Sequence, residues 1–191
     1  MKLYTIFLSV MPLAGLGGVF PPLIIVFFRT LYKLLTSPAV DALISLYHIP
    51  SFCGALYFSA LNSLYHRIAC AGIPILCVIL FLMHPVGLSA WAYTLFWVLP
   101  LITLFIPSTS WFAHALGSTF TTHAVGSVLW LYTHTTLPEY WIALIPHVMV
   151  ERLTIASCMG TCLWIISQRE SLYSMLSSVK HTLYAYVPRF S

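Results

Sequence analysis

Charge is what this chain has least of. Only 6% of its 191 residues are Asp, Glu, Lys or Arg, where a soluble domain carries about a quarter. The acidic side chains are Asp41, Glu139, Glu151 and Glu170, and hydrophobic residues reach 60%. A mean hydropathy of +0.95 leaves most of the sequence nothing polar to turn to water. This composition points to an all-α, polytopic membrane protein, because helices satisfy their own backbone groups inside lipid. No stretch is polar enough to form a second, soluble domain. The formal net charge of +4 therefore reports orientation in a bilayer, and no nucleic-acid partner is expected.

Other absences narrow the chemistry. There is no glycine-rich phosphate loop, so the chain is not expected to hydrolyse ATP by itself. No GxSxG context surrounds a serine and no cysteine adjoins a histidine in sequence, which removes the usual local marks of a nucleophile. The cysteines (Cys53, Cys70, Cys77, Cys158 and Cys162) lack the paired spacing of a structural zinc site and read as small hydrophobes in a bundle. Eight histidines are present, but no HExxH or HxxxH pair, so neither metal nor cofactor is expected. No repeat relates the two halves, which argues against an inverted-repeat carrier.

What is present is a succession of apolar segments. They cover 3–28, 39–61, 68–83, 88–107, 111–132 and 140–167, each near the ~20 residues that cross a bilayer. Lys2 gives the start a signal-peptide look, but the apolar run continues past Pro21 and Pro22 to Phe28 and reads as a retained first span. The second segment is interrupted by Asp41, His48 and Pro50, and suggests a surface or re-entrant helix over 39–47 followed by a short span from Pro50. Six spans put both termini on one side, with the loops near His66–Arg67 and 108–110. Lys2, Arg67, Arg169, Lys180 and Arg189 collect there, against Arg29 and Lys33 opposite, so both termini are expected in the cytoplasm, at the inner (plasma) membrane. Residues 1–167 are expected to form the transmembrane domain. Residues 168–191 form an amphipathic tail on the cytoplasmic membrane surface, with Leu172, Met175, Leu176, Val179 and Leu183 at helical spacing.

Polar residues concentrate between Ser108 and Arg152. In helical register Trp111, His114 and Ser118 share one stripe, and His123, Ser127 and Trp130 another. Such stripes face protein or a cavity, as helix-to-helix hydrogen bonds or as ligand contacts. Glu151 and Arg152 are adjacent inside an apolar run. Neighbours on a helix point about 100° apart, so each is expected to reach another helix or a ligand rather than its neighbour.

Three segments carry a family resemblance: IPSFCGALYF (49–58), HAVGSVLWLY (123–132), and the last span with Trp141, Ala143, Leu144, Pro146 and the Glu151–Arg152 pair. The chain resembles a substrate-binding subunit (S component) of the energy-coupling factor transporters, closest to the biotin and thiamine types. The resemblance implies a six-helix bundle that captures a vitamin-like small molecule without covalent chemistry. A transmembrane coupling subunit and ATPase subunits would drive uptake. His123, Trp130, Trp141, Glu151, Arg152 and Asn62 would hold the ligand, in a pocket near the extracytoplasmic helix ends. Ala14 and Gly18, four apart in the first span, would let a partner helix approach closely. Two other classes stay open on the residues alone. One is an integral membrane enzyme acting on a lipid or isoprenoid, with His123 or His147 and Glu151 as acid–base groups. The other is an accessory subunit without a ligand.

Overall fold

The computed structural model describes residues 20, 21, 23–25, 27, 28, 49–61, 63–106 and 110–186, with side chains of the last helix described as far as Gln168. Every regular element among them is helical: α1 Ile49–Ala60, α2 Leu64–Met83, α3 Pro85–Ser89, a 3-10 turn Trp91–Trp97, α4 Val98–Leu104, α5 Trp111–Thr133 and α6 Pro138–Tyr186. Most of the expected first span, the surface helix expected over 39–47, and the residues Ala14, Gly18 and Asn62 lie outside the described residues.

The expected third, fifth and sixth segments correspond to α2, α5 and α6. The fourth differs. Residues 88–107 do not form one rod but pass through α3, the 3-10 turn and α4. Proline accounts for the first break: a residue before proline is pushed out of the α region, and His84 is extended at φ −85°, ψ 134°. The same His84 then accepts the Val86 amide on Nδ1 at 3.3 Å, so one residue ends α2 and starts α3. Among the described residues, α2 and the 138–168 part of α6 are the two helices long and apolar enough to cross a membrane. Both expose large apolar side chains, including Ile68, Leu76 and Ile79 on α2 and Val150, Trp164 and Ile165 on α6.

Helix α5 is the hub, packed against α1, α2, α4 and α6, and it buries His114, Ser118, Thr119, Thr121 and Ser127. Ser118 donates to the Gly54 carbonyl of α1 at 2.9 Å, and Tyr57 of α1 donates to Thr103 Oγ1 of α4 at 2.6 Å. Thr119, Thr121 and Thr122 bond back to carbonyls of their own helix. The hydroxyls thus join helices at a few points and elsewhere satisfy themselves locally. Gly117 sits where the Tyr57 and Thr103 hydroxyls meet, and a Cβ there would collide with both. Gly126, about two and a half turns on, faces Pro50 at the start of α1, so α1 and α5 run antiparallel.

Arg67, expected in a loop, instead occupies the first turn of α2. Its Nε and Nη2 donate to the Leu61 carbonyl at 3.1 and 2.6 Å, and Nη1 donates to Leu104 at 3.2 Å. A helix leaves its last carbonyls without intrahelical donors, and one guanidinium here serves the ends of both α1 and α4. At the opposite end Phe81, Tyr93, Trp97 and Trp141 form an aromatic core. Phe81 is edge-on to Trp97 and Trp141 at 5.2 and 5.1 Å and stacked on Tyr93 at 5.7 Å. Helix α6 continues unbroken to Tyr186, through the 167/168 boundary drawn from the sequence. Pro146 lies inside it and lacks the amide that would bond to the Ile142 carbonyl.

Candidate functional site

A cavity of about 280 Å³ opens at the aromatic end of the bundle, away from Arg67. Its position follows from three helical registers. On α5, Thr122, His123, Gly126, Ser127 and Trp130 fall on one face, spaced by one, three and four residues. On α6, Tyr140, Trp141, Leu144 and Arg152 do the same, and between these faces stand Pro50 of α1 and Tyr93 of the 3-10 turn. From Trp130 down to Thr122 the cavity follows about 12 Å of α5, at 1.5 Å per residue.

The polar centre is a trio. The Tyr93 hydroxyl lies 2.6 Å from His123 Nε2, and Ser127 Oγ lies 3.3 Å from that hydroxyl and 3.4 Å from the same nitrogen. Tyr93 is fully buried, so its hydroxyl needs these partners. With the proton on His123 Nδ1, Ser127 donates to Tyr93 and Tyr93 to Nε2; with the proton on Nε2, the chain of donation reverses. Either circuit fixes the imidazole against the cavity.

The aromatic walls have unequal freedom. Trp141 is 1% exposed, edge-on to Phe81, Tyr93 and Tyr140, and donates from Nε1 to Thr136 Oγ1 at 3.0 Å. It is packed floor. Trp130 is 38% and Tyr140 44% exposed, forming a rim, and His134 stacks on Trp130 at 3.7 Å with planes 9° apart.

Arg152 supplies the positive charge in the wall and is 14% exposed. Its Nη2 pairs with Glu151 Oε1 at 2.7 Å, which corrects the expectation that the two would diverge. The long arginine side chain curls back over the intervening 100°, and burial makes the nearest carboxylate the favoured partner. Glu151 itself is 47% exposed and is not among the residues lining the cavity. Arg152 Nε is buried with no hydrogen-bond partner among the described residues.

The cavity therefore brings together His123, Trp130, Trp141 and Arg152 from the sequence expectation; Glu151 stands behind Arg152, and Asn62 lies outside the described residues. Sequence reasoning passed over Tyr93, Tyr140, Thr122, Gly126 and Pro50. Tyr93 carried no local signal, since its partner His123 lies thirty residues away. The other stripe, Trp111, His114 and Ser118, lies elsewhere: His114 and Ser118 are fully buried between helices. Trp111 borders a groove of about 490 Å³ with Ser110, Phe112, Ser157, Gly160, Thr161 and Trp164, none of them ionisable.

Among the described residues no group of three or more His, Cys, Asp or Glu side chains is placed to hold a metal ion. His147 is exposed on α6 and, like Glu151, does not line the cavity with His123. No protein-family model matches the chain, and no curated protein and no solved structure matches it either.

Proposed function

We propose that this chain is a membrane-embedded binding subunit that captures a vitamin-like small molecule, its uptake driven by a coupling subunit and ATPase subunits in other chains. The observation that carries the reading is the cavity itself. A fixed hydrogen-bonding trio, an aromatic rim and one guanidinium converge on a space of about 280 Å³. Binding sites are largely apolar with a few placed polar groups and usually hold about 300–1,000 Å³, and this cavity lies just under that range. The apolar faces of α2 and α6 support a lipid surround, since soluble monomers rarely expose patches of that kind. In this reading the six segments span the inner (plasma) membrane, the Arg67 end is cytoplasmic and the cavity mouth is extracytoplasmic.

Native mass spectrometry of the full chain, released from detergent, tests the proposal. Retention of a small organic molecule at one equivalent, lost on partial unfolding, is the expected result. A spectrum of bare chain from cells grown with a full vitamin supply would sink it. Stoichiometric metal or haem would instead favour a membrane enzyme, for which the Tyr93–His123–Ser127 trio offers a proton-transfer chain.

A further inference from the structure

We propose that the cavity selects a flat molecule bearing one carboxylate, seated on the guanidinium of Arg152. The inference rests on the binding reading above and names the ligand class for the same site. The aromatic rim alone leaves the sign of the ligand undecided, because tryptophan and tyrosine faces attract cations as readily as they stack on neutral rings. Arg152 decides it. Among the described residues the cavity wall contains this guanidinium and no acidic side chain, so a cation entering meets like charge.

Glu151 offsets part of this charge but stands outside the cavity wall and is 47% exposed, so solvent screens it more than the 14%-exposed guanidinium. It also holds the guanidinium in place. Nε is shielded from the cavity, so a ligand oxygen is received by the Nη donors beyond the one given to Glu151. One guanidinium, already paired on one side with Glu151, balances the single charge of a carboxylate better than the double charge of a phosphate dianion. The exposed rings of Trp130 and Tyr140 then take the flat body of the molecule.

The test uses three probes with one ring system and three charges: naphthylacetate, naphthylacetamide and naphthylmethylammonium. Each is titrated calorimetrically into the full chain in detergent. Naphthylacetate is expected to bind at least about tenfold more tightly than the amide, the lower end for a hydrogen bond to a charged group, with the ammonium weakest. Arg152→Gln should abolish the preference, and Glu151→Gln should increase it by freeing Nη2. Equal binding of all three probes, or a preference for the ammonium, overturns the carboxylate assignment and leaves a binding cavity standing. Binding of none overturns it too, while the broader reading falls only if native mass spectrometry also finds bare chain. Short-chain phosphatidate competing better than naphthylacetate would assign the anion to a lipid headgroup and overturn the proposal. The comparison on the unaltered chain decides the matter even if Arg152→Gln does not fold.

Discussion

Two glycines on one helix should respond in opposite ways to the same methyl group. At Gly117 a Cβ would collide with the hydroxyls of Tyr57 and Thr103, which are themselves bonded at 2.6 Å in the buried core. Forcing in a methyl costs roughly 1–3 kcal/mol in overpacking. Separating the hydroxyls adds about 1–3 kcal/mol if one is left unsatisfied. Replacing a helical glycine returns about 1 kcal/mol. Gly117→Ala should therefore lose about 1–5 kcal/mol. At about 2–4 °C per kcal/mol for a chain of this size, that is a fall of roughly 2–20 °C in melting temperature. At Gly126 the nearest atoms are Pro50 Cγ and Cβ at 3.7 and 3.9 Å from a built Cβ, ordinary contact. Gly126→Ala should hold or gain stability by up to about 1 kcal/mol while placing a methyl in the cavity wall and weakening ligand retention. Thermal unfolding in detergent, followed by size-exclusion fluorescence, reads stability; native mass spectrometry reads retention. If Gly117→Ala melts with the parent protein, the α1–α4–α5 contact as described is wrong. If Gly126→Ala keeps full ligand occupancy, the cavity is not where the ligand sits.

Arg67→Gln removes a guanidinium serving the ends of α1 and α4 and should cost on the order of 2–3 kcal/mol, measured as the same melting shift; an unchanged melting temperature refutes the capping role. Phe81→Ala opens a cavity among Tyr93, Trp97 and Trp141 and should lose about 3–5 kcal/mol, a loss large enough to be seen as lowered yield of folded protein. A reporter active only in the cytoplasm, fused after Ser191, should be active; activity from an exported reporter instead would reverse the proposed orientation. Ala14→Leu or Gly18→Leu should leave ligand retention intact and weaken co-purification with a partner membrane subunit. Unfolding of the isolated chain by either change would assign these residues to its own packing.

Helices α2, α5 and α6 were legible because each is a long apolar run bounded by proline or by a polar cluster. The broken course of residues 88–107 was not, since WAYTLFW is as apolar in a 3-10 turn as in an α-helix and period alone cannot separate them. Within the site, His123, Trp130 and Arg152 were readable as polar or aromatic residues on helical stripes. Tyr93 was not, because it reaches His123 from thirty residues away and nothing local encodes that meeting. Tyr140 stands at the start of the last apolar segment, where a tyrosine at a membrane interface and a cavity rim look the same in sequence. The Glu151–Arg152 pair failed for a different reason. Helical angles describe where Cα–Cβ bonds point, and a long arginine side chain is not bound by them.

Pro146 divides the cavity's own helix, with Tyr140, Trp141 and Leu144 before it and Arg152 after. Helix α6 runs about 73 Å from Pro138 to Tyr186 at 1.5 Å per residue, which makes it a mechanical beam with one missing tie. A beam flexes where a tie is missing. Leverage applied to its far end, some 34 residues beyond Arg152, concentrates curvature at the Ile142 carbonyl. That curvature swings the guanidinium relative to the tryptophan floor. On the binding reading proposed above, loading and emptying of the site would be coupled to force on a segment remote from the cavity.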